Sequence, residues 1–108
     1  MADNVAIICE EIGALIEAPL NGARGVTLAR VERLLTDGYA QALSLEGERW
    51  RLERRIGEVA AELNDQNKEL KAEELATLGR RLSHASEDLT RLRELLGTLK
   101  ERANTIRH

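Results

Sequence analysis

The sequence predicts an all-α fold: a short N-terminal helix followed by a long antiparallel coiled-coil hairpin, which becomes a helical bundle on dimerisation. Three observations predict it. Ala, Glu, Lys, Leu and Arg supply 63 of the 108 residues, a bias that marks long helices when the hydrophobic period is sustained. Apolar residues recur in alternating steps of three and four from Leu28 to Ile106, the 3.5-residue period of a coiled coil. That period changes phase once, across the polar segment Asn64-Asp-Gln-Asn-Lys68.

The chain divides into residues 1–26, an amphipathic helix and loop, and residues 27–108, the hairpin. In the first part, Val5, Ile8, Ile12 and Leu15 line one face over residues 4–18. Asp3 or Asn4 is placed to cap this helix, and Pro19 to stop it. The stretch from Pro19 to Gly25 combines Pro, Asn and two Gly residues, the composition of a connecting loop. Thr27 is an N-cap for the next helix, with Val26 and Val31 spaced as a hydrophobic staple.

The first arm of the hairpin carries its seam at Leu28, Val31, Leu35, Gly38, Ala42, Leu45, Arg49, Leu52, Ile56, Val59 and Leu63. The second carries Leu75, Leu78, Leu82, Ala85, Leu89, Leu92, Leu96, Leu99, Ala103 and Ile106. Leu63 and Leu75 are twelve residues apart, a spacing that neither whole heptads nor one three- or four-residue insertion provides. Asn and Asp at the break tolerate left-handed backbone and compete for its hydrogen bonds, so a turn is expected there. The arms, residues 27–64 and 67–106, are each roughly 55–60 Å long at 1.5 Å per residue. Matched arms favour a hairpin over a continuous rod.

Off the seam, Tyr39, Leu43, Gly47 and Trp50 form a second line on the first arm, turned about 120° from the first at 100° per residue. The second arm flanks its seam with small or weakly polar Ala76, Gly79, Ser83, Ser86, Thr90 and Gly97. A two-helix hairpin needs one seam per arm, so further faces imply further helices. The N-terminal helix spans roughly 22 Å and folds back over its neighbour as far as about residue 43. Tyr39 and Leu43 are therefore expected to be covered within the chain, whereas Trp50 needs a second copy. The expected state is a homodimer, since closed twofold pairing is the commonest oligomer.

Net charge is −3, with 16 basic and 19 acidic residues interleaved, so no global field favours nucleic acid. Locally, Arg49, Arg51, Arg54 and Arg55 flank Trp50, and a turn near residue 65 sets them level with Arg80, Arg81 and His84. Guanidinium forks and an aromatic ring suit phosphates and bases. Glu46, Glu48, Glu53, Glu58, Glu87 and Asp88 are positioned to neutralise them, which makes nucleic acid the less favoured partner.

Chemistry is sparse elsewhere. His84 is preceded three positions earlier by Arg81, not by the Glu that a di-metal bundle motif requires. Cys9 has no Cys or His at zinc spacing, and its expected place is the core. The sequence contains no GxxxxGK[ST], GxGxxG, GxSxG or HExxH pattern, so no enzyme, metal or cofactor is expected. Small secreted helical hairpins carry Trp-x-Gly at their turn, but Trp50 is followed by Arg51 and Leu52 inside a helix and gives no such resemblance. The longest apolar run, Val5 to Cys9, is far short of the ~20 residues of a membrane span. Asp3, Glu10 and Glu11 stand where a secretory signal would place cations. A cytoplasmic protein–protein interaction, adaptor or oligomerisation module is expected, with an unidentified protein partner. The alternatives are an anion or nucleic-acid binder using the arginines and a small chaperone holding a client helix.

Overall fold

The computed structural model describes residues 2–18 and 28–107. They form three helices, α1 (Ala2–Glu17), α2 (Leu28–Glu62) and α3 (Lys68–Arg107), with no strand among the described residues. The all-α reading and both hairpin arms are as expected. Asp3 and Asn4, expected to precede the first helix as caps, lie inside it because α1 already begins at Ala2. The expected loop from Pro19, the Thr27 cap and the Val26 staple residue lie outside the described residues.

The chain splits into two compact units, to which α2 and α3 both contribute. In the first unit, Met1–Leu43 with Thr90–His108, α1 packs against both longer helices. Gly38 marks the meeting point: a Cβ built there would overlap Leu96 Cδ2 and lie 3.5 Å from Ile12 Cδ1. The missing side chain is therefore what lets α1 and α3 approach α2 at this level. Val5, Cys9, Ile12 and Leu15 of α1 are buried, together with Leu92, Leu96, Leu99 and Ala103 of α3.

Leu34, which lies off the 3.5-residue stripe, is as buried as the seam at 3% exposure, while Leu35 is half-buried. The stripe describes one neighbour, but α2 has two in this unit and needs a wider apolar face. A 16-residue helix such as α1 is marginal alone in water, so this burial is what holds it helical. Its last turn contains no basic residue. The Arg102 guanidinium of α3 supplies the missing cation, donating from Nη2 to the carbonyl of Ala18. Such a contact satisfies an otherwise unpaired terminal carbonyl and opposes the negative end of the helix dipole.

The second unit, Ser44–Leu89, is the hairpin's turn and flanking arms. Leu52 and Val59 pack with Leu78 and Ala85, and half-buried Ile56, Leu75 and Leu82 close around them. Leu52 and Leu82 would stand about 45 Å apart on a straight helix at 1.5 Å per residue; their common cluster excludes a continuous rod. Leu63, the last residue of the first stripe, is 46% exposed because α2 ends at Glu62.

The turn is built by two asparagines. Asn64 Oδ1 accepts from the backbone N–H groups of Gln66 at 2.8 Å and Asn67 at 3.0 Å. Asn67 Oδ1 accepts from Asn64 N–H at 2.8 Å, while its Nδ2 donates to the Glu62 carbonyl at 3.0 Å. One side chain thus serves amide donors entering α3 and the other serves a carbonyl leaving α2, the two sets of groups a helix–turn–helix leaves unpaired.

Candidate interaction face and arginine band

The line Tyr39, Leu43, Gly47 and Trp50 is largely uncovered within one chain. Tyr39 is 49% exposed, Leu43 70% and Trp50 58%, with Gly47 half-buried. The expectation that α1 covers Tyr39 and Leu43 is corrected here. Helix length alone says how far α1 reaches, not around which side of α2 it runs. Ile12 meets α2 at Gly38, a seam residue, so α1 follows the seam side and leaves the second line bare. Three further large apolar side chains that the sequence patterns did not single out as exposed, Ile7, Leu63 and Leu70, are 46% to 74% exposed.

All six candidate arginines lie in the second unit, and their surroundings differ. Arg49 occupies a seam position, so its stem is half-buried and its Nε is buried without a hydrogen-bond partner. Its Nη2 reaches Glu53 Oε1 at 3.5 Å, a long contact one helical turn away. Arg55 crosses the hairpin to Glu74, with Nη2 2.8 Å from Oε1 and 3.4 Å from Oε2. The Glu74 carboxylate, through that hydrogen bond and its charge, raises the Arg55 pKa above its ordinary value. Arg80 donates to Thr77 Oγ1 at 3.3 Å.

Arg54 stacks over the indole of Trp50, its guanidinium carbon 5.4 Å from the ring centroid, within cation–π range. Arg51 extends the other way along the helix, with Nη1 3.4 Å from where a Cβ on Gly47 would stand. Among the described residues, neither Arg51 nor Arg81 has an ion-pair partner within 4.0 Å.

The arginines therefore do not act as one girdle of free charge. Two are bound by carboxylates, and Glu74 was not among the acidic neighbours expected from local spacing. The signal for it lay in the register. Closing the turn at Asn64 to Asn67 sets Glu62 beside Lys71, Oε2 to Nζ 2.9 Å; from that pair Arg55 lies two turns back along α2 and Glu74 one turn on along α3, and the arginine side chain spans the offset.

Among the described residues, no cluster of three or more His, Cys, Asp and Glu side chains is placed to hold a metal ion. Among the described residues, no helix is long and apolar enough to cross a membrane. The surface of α2 offers exposed aromatic and aliphatic side chains, Tyr39, Leu43 and Trp50, among charged neighbours. No protein-family model, curated protein or solved structure matches the chain.

Proposed function

We propose that this chain is a non-catalytic helical interaction module that pairs with a second copy of itself and presents helical surface to protein partners. The observation that carries the reading is the exposure of large apolar side chains on α2 in both units: Tyr39 and Leu43 in the first, Trp50 in the second. Single exposed apolar residues are ordinary. Here they follow one another at helical spacing along an otherwise strongly charged helix, at positions the seam does not use. Trp and Tyr are also the residues most enriched at protein contacts. The lone cysteine, Cys9, forms no disulfide within the chain and suits a reducing, cytoplasmic setting.

Sedimentation velocity of the full chain over a concentration series tests this reading. A dimer forming at micromolar concentration is expected, and a monomer at tens of micromolar overturns it. The competing nucleic-acid reading is tested in parallel on the same protein. Salt-sensitive retention on single-stranded DNA that is lost when Arg51, Arg54 and Arg55 are replaced by Gln would displace the interaction reading. Weak retention, equal in both proteins, supports it.

A further inference from the structure

The outer face of α2 in the second unit has an uneven charge pattern. Trp50, Arg51 and Arg54 precede Gly57; Glu58 and Ala61 follow it, and all six are exposed. The first half is aromatic and net positive, its one exposed carboxylate, Glu53, lying 3.5 Å from Arg49, and the second is small and negative. A Cβ on Gly57 would face open space, so nothing among the described residues covers the boundary between the halves. Among the described residues, neither Arg51 nor Glu58 has an ion-pair partner at 4.0 Å or less.

We infer that a second copy of this chain docks on this face antiparallel, with its own α2 crossing at Gly57. The inference rests on the self-association reading and specifies its geometry for the part around Trp50, in the second unit. A twofold axis at Gly57 opposes residues equally far before and after it, so Arg54 of each copy lies two residues, about 3 Å along the helices, from Glu58 of the other, and Trp50 three residues, about 4.5 Å, from Ala61 of the other at 1.5 Å per residue. Each opposite-charge contact then occurs twice, as isologous pairing requires. Gly57 and Ala61 lack bulk, which lets the two helices approach closely enough for Trp50 to leave water. Charge also selects the occupant. A polyanion drawn to Arg51 and Arg54 would run onto Glu58, and a uniformly acidic or basic partner would be repelled by one half. A second antiparallel copy presents the opposite sign to both halves.

The test is a charge exchange in the full chain. One variant carries Arg51→Glu and Arg54→Glu, the other Glu58→Arg. Each alone is expected to raise the dimer dissociation constant about tenfold or more, and an equimolar mixture to recover most of that loss. Gly57→Cys supplies an independent readout, because an axis there brings the two thiols within disulfide reach. Ala61→Cys is its control, since the same axis separates those thiols by about 12 Å along the helices at 1.5 Å per residue. Rapid cross-linking of Gly57→Cys and not of Ala61→Cys is expected. A wild-type dimer that neither charge variant weakens, or that the mixture does not restore, overturns this geometry and leaves self-association standing. A monomeric wild-type chain overturns both.

Discussion

Gly38 and Gly97 are both helical glycines in the first unit, yet they stand in opposite surroundings. An added methyl on Gly38 overlaps the side chain of Leu96, itself only 1% exposed, whereas on Gly97 it meets nothing within 4 Å. Helix propensity favours Ala over Gly by about 1 kcal/mol at either position. At Gly38 that gain is set against roughly 1–3 kcal/mol for forcing a methyl into a packed core. Gly38→Ala is therefore expected to lower the unfolding free energy by up to about 2 kcal/mol, while Gly97→Ala raises it by roughly 0.5–1 kcal/mol. Urea denaturation midpoints check the pair, and a stabilising Gly38→Ala would mean that α1 and α3 do not close on α2 there. The sequence placed Gly38 on the seam, but it could not show which glycines are enclosed. Spacing reports the side of a helix, and enclosure depends on what lies across from it.

At the scale of elements, the turn was legible because its chemistry is local. Asn64 and Asn67 bond to groups within five residues of themselves, so their residue types and the phase break were enough to place the connection. The ion pairs across the hairpin were less legible, since they require the register that the turn sets. Asn64 is expected to dominate the turn's stability, as its side-chain oxygen accepts two backbone N–H groups. Asn64→Ala should cost about 1 kcal/mol, while Asn64→Asp keeps the acceptor and most of the stability. Acid adds a second effect. The hydrogen bond and charge of Lys71 hold the Glu62 carboxyl below its usual range. A carboxyl depressed in the folded state stabilises above its unfolded pKa and loses that contribution as pH falls through the folded value. Wild type should accordingly exceed a Lys71→Met variant in urea midpoint at neutral pH, and the difference should shrink through the acid side of the carboxylate range. A gap that does not change with pH would show that Lys71 acts by packing alone.

For the whole molecule, periodicity read most of the interior correctly because a seam is a property of each helix by itself. All ten positions of the second series are buried or half-buried in α3. What periodicity could not supply was the route of α1, and with it the fate of Tyr39 and Leu43. That correction sharpens what mutation of the second line should do. Had α1 covered Leu43, a glutamate there would have opened the first unit's core and unfolded the chain. With Leu43 at 70% and Trp50 at 58% exposure, a carboxylate at either site keeps its water in the single chain and leaves the buried leucines untouched. Surface substitutions of this kind usually change stability by no more than about 0.5 kcal/mol. The double variant Leu43→Glu with Trp50→Glu is therefore expected to remain as helical as wild type by circular dichroism yet to sediment as a monomer. Its melting temperature should be independent of concentration, whereas that of wild type should rise with concentration because association binds only folded chains. A folded double variant that still dimerises would move the contact surface away from this line of α2. Loss of helicity in the dilute variant would show instead that Leu43 or Trp50 supports the fold of the single chain.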